Sequence, residues 1–171
     1  MNKIVLILSL KLLLSVELIS FESTLGILKN VESNSRQIFN IGQNSFVCSP
    51  YGVFTLEKIY SNAKPNSRCQ KSIQNFYLKY SNLQQFAQRK LKVQQMYKIE
   101  LKEKGCVFYS DGQKTYAEVL VENGLAVVDP NFADKEFKYS YNDVQKSAKS
   151  LKIGLWKERI IDDCLSSFNK K

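Results

Sequence analysis

The hydrophobic residues of this 171-residue chain change their spacing near its middle, and that change limits the folds open to it more than any other feature. In the first half, apolar residues alternate with polar ones, which predicts strands over Thr24–Val31, Arg36–Ile41 and Val53–Tyr60. Over Arg68–Gln94 they recur at helical spacing, which predicts one long helix or two short ones. A strand meander followed by a helix favours a small barrel, because closing the sheet removes its exposed edges.

The second half of the chain returns to strands and then to helices. Tyr97–Leu101 and Cys106–Tyr109 are predicted to be paired strands. Thr115 is predicted to cap a short helix over Tyr116–Asn123, because a threonine side chain accepts hydrogen bonds from the first helical turn. A basic amphipathic helix is predicted over Asp134–Ile153. Neither a linker nor a repeat divides the chain, and its length suits one domain.

The first 20 residues have the composition of an export signal. A single lysine precedes the apolar run Ile4–Ile19, which Lys11 and Glu17 interrupt. A transmembrane helix needs about 20 apolar residues, so this run is short for a membrane span. We therefore predict a signal peptide or an N-terminal anchor over residues 1–20, and no transmembrane span beyond that segment. A buried N-terminal helix is the alternative.

The cysteines support export. Their number is even and none belongs to a C-x-x-C pair, so we expect two disulfides in an oxidising compartment rather than a zinc site. The protein is accordingly predicted to be periplasmic or secreted, with four buried thiols in a cytosolic protein as the alternative. Four cysteines allow three pairings, among which the sequence does not choose. Our working prediction is Cys48–Cys69 and Cys106–Cys164.

The charge and the missing histidine limit the chemistry. A formal net charge of +9 favours acidic partners such as nucleic acid or anionic lipid head groups, and it is also a common setting for solubility. The chain has no histidine, which excludes Ser–His and Cys–His nucleophile pairs and zinc sites of the HExxH type. Any catalysis must rest on carboxylates, Lys, Arg, Tyr or an oxygen-bound metal.

Several short motifs in the second half occur together. Asp111–Gly112 is the strongest hairpin dipeptide of the chain. The motif residues are Tyr109–Ser110–Asp111–Gly112, Leu120–Val121, Gly124–Leu125–Ala126, Ala148, Leu151, Gly154 and Trp156. With them the chain resembles the staphylococcal nuclease (thermonuclease) family, most closely over residues 97–158. The resemblance implies an α+β, mainly β fold, an OB-type five-stranded β-barrel with about three helices. We expect this domain over residues 21–158, followed by a C-terminal extension over residues 159–171.

The activity of that family is calcium-dependent hydrolysis of phosphodiesters in DNA and RNA. Such chemistry uses carboxylates to hold the metal, a glutamate to activate water and two arginines to stabilise the developing charge. Carried over by position, the resemblance puts Asn34 in place of a metal-binding aspartate. With Pro65 as the anchor of the second signature, Lys58 replaces an arginine. In the same register Ala63 replaces a metal-binding aspartate and Asn66 replaces the catalytic glutamate.

The remaining positions of the resemblance also lack the residues that the family carries there. The turn over residues 102–105, where the family carries a further arginine, contains none. Glu32 and Glu57 are the fallback carboxylates for a rearranged site, since no other acid lies between Val31 and Asn66. Four lysines are candidates for phosphate binding, with ordinary solvated side chains as the alternative: Lys58, Lys64, Lys102 and Lys104. We predict no metal ligand.

These losses favour a degenerate member of that family. We predict an exported, catalytically inactive nuclease-fold protein that acts as a binding or scaffold module in the cell envelope. Its expected partner is an envelope protein, and we expect no cofactor. The first alternative is a secreted nuclease with a rearranged site, which would require calcium or another divalent metal. The second is non-catalytic binding of nucleic acid on the basic surface.

Overall fold

The computed structural model describes residues 23–164 and residue 168, so the predicted signal peptide or anchor lies outside the described residues. The strands in the described part are β1 (Thr24–Ser33), β2 (Arg36–Ile41), β3 (Asn44–Cys48), β4 (Val53–Thr55), β5 (Met96–Lys102), β6 (Gly105–Asp111), β7 (Lys114–Thr115) and β8 (Ala126–Val128). The helices are α1 (Leu56–Asn62), α2 (Arg68–Lys79), α3 (Ser81–Gln84), α4 (Phe86–Lys90), α5 (Tyr116–Glu122), α6 (Lys135–Ser150) and α7 (Ile160–Cys164), with a 3₁₀ turn at Gly154–Trp156.

Six of these strands form one antiparallel sheet in the order β3-β2-β1-β5-β6-β7, and β4 pairs with β8 in a second sheet. The expected α+β, mainly β fold class is confirmed, but the large sheet has six strands and does not close into a barrel. Across the described residues, β3 and β6 are linked by a single bridge, between Pro50 and Cys106. The hydrogen bonds of this bridge come from the neighbours of Pro50: the Ser49 carbonyl accepts from the Cys106 N–H at 3.0 Å, and the Tyr51 N–H donates to the Cys106 carbonyl at 3.2 Å.

The third predicted strand is wrong beyond Thr55. Val53–Tyr60 begins as β4, but the chain then turns into α1, whose first turn donates the Lys58 N–H to the Thr55 hydroxyl at 3.2 Å. Leu56 and Ile59 are buried at helical spacing on this helix. The apparent alternation from residue 53 to 60 therefore joins a three-residue strand to a helix.

The predicted helical segment 68–94 contains three helices rather than one or two. The breaks fall at Tyr80, which has φ −126° and ψ 58°, and at Gln85, which has φ −100° and ψ 24°. The Tyr80 hydroxyl donates to Glu158 at 2.7 Å, which attaches this break to the segment between the 3₁₀ turn and α7. These breaks, together with α1 and α7, bring the described α-helices to seven, where about three were expected.

The local predictions of the second half are confirmed, except that the basic helix predicted over Asp134–Ile153 spans Lys135–Ser150. Thr115 caps α5 in a complete capping box with Glu118. Asp111 pairs with Lys114 around a tight turn in which Gly112 has φ +61°. Gly124 ends α5 with φ +61°, and a Cβ atom there would stand 2.3 Å from the Ile153 carbonyl oxygen. The two family motifs around Gly124 and Gly154 therefore pack backbone against backbone.

The predicted disulfide pairing is wrong. The structure pairs Cys48 with Cys106 and Cys69 with Cys164. Cys48 ends β3 and Cys106 lies on β6, so the first bridge joins the two strands that the sheet leaves nearly unpaired. The second bridge ties α2 to α7. Two disulfides are compatible with a periplasmic or extracellular protein. No helix within residues 23–164 is long and apolar enough to cross a membrane.

Candidate functional site

A buried group of polar side chains, which we call the Glu57 cluster, lies where the first hairpin meets the helices. It consists of Asn34, Thr55, Glu57, Tyr77 and Tyr116. Asn34 is in the turn between β1 and β2, Glu57 is in the first turn of α1, Tyr77 is on α2, and Tyr116 opens α5. The cluster therefore combines a position that the resemblance gave to a metal ligand with one of the two fallback carboxylates.

Glu57 is held in this cluster largely shielded from water. The Tyr77 hydroxyl donates to its Oε1 at 3.1 Å, while its Oε2 is buried without a hydrogen-bond partner among the described residues. Burial raises the pKa of the carboxyl above its usual range, and the hydrogen bond from Tyr77 opposes that rise. Burial and the nearby Glu57 also raise the pKa of the Tyr77 hydroxyl. Tyr77 therefore remains a neutral donor that covers the carboxylate.

Asn34 uses both ends of its amide for structure. It is fully buried, its Nδ2 donates to the Leu83 carbonyl at 3.0 Å, and its Oδ1 accepts from the Ala87 N–H at 2.8 Å. These two hydrogen bonds attach the β1–β2 turn to α3 and α4. An ionised aspartate could accept from Ala87 but could not donate to Leu83. The asparagine is thus the residue that this junction requires.

Tyr116 of the cluster, and Gln37 beside Asn34, also carry polar atoms without a partner in the described part. Gln37 donates from Nε2 to the Ser33 carbonyl at 2.8 Å and to the Asn34 carbonyl at 3.2 Å, yet its Oε1 is buried without a partner in the described part. The Tyr116 hydroxyl is also buried without a partner in the described part. The Tyr116 ring stacks on the Phe108 ring, with 4.9 Å between the ring centres. Burial and Glu57 raise the pKa of Tyr116. These atoms leave the interior beside Glu57 polar.

The other positions at which the resemblance predicts a replaced catalytic residue lie outside the Glu57 cluster. Lys58 follows Glu57 but is exposed on α1. Ala63 is buried at the C-cap of that helix, where its N–H donates to Ile59 at 3.1 Å. Asn66 is exposed with φ +60°. Glu32, the second fallback carboxylate, forms an ion pair with Arg36 on the surface.

Among the candidate phosphate-binding lysines, Lys102 differs from the other three. Lys58, Lys64 and Lys104 are exposed, whereas the Lys102 side chain is only 17% exposed. Its Nζ lies 3.3 Å from Glu100 Oε2 and 5.0 Å from the centre of the Phe137 ring. Lys102 is therefore neutralised within the protein by a glutamate two residues earlier on the same face of β5.

The family's metal does not fit these residues. Within residues 23–164 and 168, no group of three or more His, Cys, Asp or Glu side chains comes together to hold an ion. The Glu57 cluster offers one carboxylate oxygen that Tyr77 already occupies and one that is buried, and the Asn34 amide oxygen is bonded to the Ala87 N–H. A hard divalent cation needs several oxygen ligands at once.

Sequence reasoning named Glu57 and Asn34 but missed what surrounds them. The sequence places Tyr77 only within the predicted helical segment 68–94, and it places Thr55 within the predicted strand Val53–Tyr60. The signal for Thr55 was present, because a threonine before buried residues at helical spacing marks a helix start. Nothing local indicates that Tyr77, twenty residues on, donates to Glu57.

The comparison with known families agrees with the fold. The model of the family described as staphylococcal nuclease homologue matches residues 64–158, which run from before α2 to just beyond the 3₁₀ turn. The matched span includes Tyr77 and Tyr116 but begins after Asn34 and Glu57. No curated protein matches the sequence. The match covers more than half of the chain, and the protein therefore belongs to the staphylococcal nuclease family.

Proposed function

We propose that this protein is an exported nuclease-fold protein without nuclease activity, which acts as a binding or scaffold module in the cell envelope. The observation that carries the proposal is the state of Glu57. It is the one carboxylate of its cluster, burial raises its pKa, and the Tyr77 hydroxyl covers it.

Hydrolysis of a phosphodiester needs groups that this cluster lacks. A water-activating carboxylate must be ionised and open to water, and positive groups must stabilise the charge that develops on phosphate. Burial disfavours the ionised form of Glu57, and its Oε2 is closed off from solvent. Removing one preorganised donor typically lowers turnover by about 10²–10³. The loss of metal ligands and arginines together therefore removes useful catalysis.

Export is supported by the cysteines and by the first residues of the chain. Both disulfides join segments that are far apart in sequence, 58 residues in one case and 95 in the other. Such bridges persist in oxidising compartments. The apolar run Ile4–Ile19 has the composition of an export signal. A binding role follows from a fold that is kept while its catalytic groups are replaced.

A nuclease assay tests the absence of catalysis. The full chain with both disulfides intact is incubated with single-stranded and double-stranded DNA and with RNA, in calcium, magnesium or manganese. Staphylococcal nuclease serves as the positive control and the Glu57→Gln variant as the matched control. We expect no cleavage above the level of that variant. Metal-dependent cleavage by the wild-type chain that Glu57→Gln abolishes would overturn the proposal.

The thiol state tests export. Protein isolated from its own cells is treated with an alkylating reagent before and after reduction, and its mass is measured. We expect no alkylation before reduction and modification of Cys48, Cys69, Cys106 and Cys164 after it. Alkylation of all four cysteines without reduction would show a reducing compartment and contradict export.

A further inference from the structure

The outer face of the large sheet exposes a block of apolar side chains where β1 pairs with β5. Ile27 lies opposite Met96 and Leu25 lies opposite Lys98 in this pairing. Because side chains two residues apart in a strand share a face, all four project from the same side of the sheet. Leu25 and Met96 are each 61% exposed and Ile27 is 39% exposed. Contiguous apolar exposure of this kind marks a surface that another phase or molecule covers.

Lysines surround this block. Lys98 lies beside the apolar side chains, opposite Leu25. Lys29 is the next exposed side chain on β1 after Ile27, and Lys92 lies in the turn that leads into β5. None of the three forms an ion pair with the described residues, whereas several other lysines of the protein do. The rim of the apolar block is therefore positively charged and not neutralised.

A groove of about 620 Å³ adjoins the block and shares Met96 and Lys98 with it. Across the groove lie Tyr109 and Ser110 of β6. The Lys98 ammonium stands 4.9 Å from the centre of the Tyr109 ring, and the Ser110 hydroxyl is buried with no partner in the described part. A cation at the edge of an apolar surface is suited to a phosphate group.

The chain reaches this surface directly from its most apolar segment. Four residues separate the run Ile4–Ile19 from Thr24, where β1 begins, and Leu25 is the next residue. In the anchored form of the chain, in which residues 1–20 are retained, Leu25 and Ile27 follow the apolar run by six and eight residues.

We infer that this face docks on an anionic phospholipid surface. Leu25, Ile27 and Met96 enter the region between head groups and acyl chains, and Lys29, Lys92 and Lys98 contact the phosphates. Peripheral membrane binding of this kind combines buried apolar area with attraction between basic side chains and anionic lipids. A lipid head group occupies the groove beside Lys98. The inference goes beyond the proposed function and does not depend on the catalytic state of Glu57.

The two methionines of the chain, Met1 and Met96, provide a direct test. The full chain carries ¹³C in its methionine methyl groups, and Met96→Leu identifies the Met96 signal. The protein is mixed with lipid nanodiscs of phosphatidylcholine alone or with phosphatidylglycerol, each with a nitroxide on the acyl chain. We expect the Met96 signal to broaden strongly in the anionic discs and much less in the neutral ones. A sharp Met96 signal in both would overturn the inference, even if residues 1–20 held the chain on the disc.

Matched variants separate the face from the rest of the protein. Leu25→Asn combined with Ile27→Thr should remove most of the broadening, and Lys98→Gln should weaken docking by about fivefold. Leu78→Asn, at a leucine that is 82% exposed on α2, should leave it unchanged. Thermal unfolding confirms that each variant folds. Equal broadening in the double variant, or a Met96 shift with inorganic phosphate alone that matches the shift with discs, would contradict lipid docking.

Discussion

Two helices of this protein have the same threonine N-cap, but the first glutamate of each has different hydrogen-bond partners. Thr55 ends β4 and caps α1, and Thr115 ends β7 and caps α5; each side chain accepts an N–H of the first turn at 3.2 Å. In α5 the glutamate is the third residue, Glu118, and its Oε2 accepts the Thr115 N–H at 2.8 Å. In α1 the glutamate is the second residue, Glu57, and its Oε2 has no partner among the described residues.

A shift of one position along the helix separates the two outcomes. A glutamate at the third position can reach back to the N–H of the capping residue, so its charge is used within the helix. A glutamate at the second position of α1 points to other elements instead, where it meets the Tyr77 hydroxyl. The first glutamate is a structural cap. The second is a largely shielded carboxyl that accepts a hydrogen bond from Tyr77.

The largest effect is expected from an aspartate at position 34, where the resemblance predicts a metal ligand. Asn34→Asp removes the donor to the Leu83 carbonyl and places a charge in a fully buried position near Glu57. We expect a loss of at least about 3 kcal/mol in the free energy of unfolding, measured with urea at neutral pH. Asn66→Asp, at an exposed position, is the control and should change stability by less than about 0.5 kcal/mol. Equal stabilities of the two variants would refute the structural role of Asn34.

The sequence predicted best what depends on near neighbours. The capping box of Thr115 and Glu118, the Asp111–Gly112 turn and the end of α5 at Gly124 each rest on contacts within a few residues. The family resemblance could be detected for the same reason: its motifs lie in the second half of the chain, where these local contacts occur. Local hydrogen bonds and backbone conformations favour particular residue types, which the sequence shows directly.

Features that depend on distant contacts were not predictable in the same way. The disulfide pairing follows from which strands lie side by side, and Cys48 meets Cys106 only because β3 and β6 approach at Pro50. The start of α1 was missed because Thr55 continues an apparent alternation into the helix. The burial of Glu57 depends on Tyr77 from another helix, so its sequence position alone could not distinguish a catalytic base from a covered carboxyl.

A smaller effect is expected at the satisfied cap. Glu118→Ala removes the acceptor of the Thr115 N–H, which is left buried without a partner. We expect a loss of about 2 kcal/mol in the free energy of unfolding, because capping and an unmet buried donor both contribute. Glu118→Gln keeps an acceptor at the same place and should restore most of the stability. If the alanine and glutamine variants are equally stable, the capping box contributes nothing measurable.

The next effect concerns the hydroxyl that covers Glu57. Tyr77→Phe removes this donor and should cost about 1 kcal/mol in the free energy of unfolding. It should also raise the pKa of Glu57 further, since the hydrogen bond from Tyr77 lowers that pKa. Tyr139→Phe is the control, at a tyrosine that is 80% exposed. Carboxyl NMR of Glu57 in both proteins measures the shift, and an unchanged pKa in Tyr77→Phe would contradict the contact.

The smallest expected effect is a difference in pH dependence. The pKa of Glu57 is higher in the folded than in the unfolded chain, so the folded state holds this proton more tightly. Its contribution to stability is complete below the unfolded pKa of about 4.3 and is lost as pH rises through the folded pKa. Subtracting the unfolding free energies of Glu57→Gln from those of the wild type isolates this slope. A difference that grows in favour of the wild type with rising pH would contradict a buried carboxyl.

The most direct test of the account is the effect of calcium on thermal unfolding. An ion that binds the folded state raises the unfolding midpoint, by an amount equivalent to about 2.7 kcal/mol at one hundred times its dissociation constant. If the Glu57 cluster holds no metal, the full-length wild-type chain should unfold at the same temperature in millimolar calcium and in chelator. A calcium-dependent rise in the midpoint that disappears in Glu57→Gln would show that the metal site survives and would contradict the account.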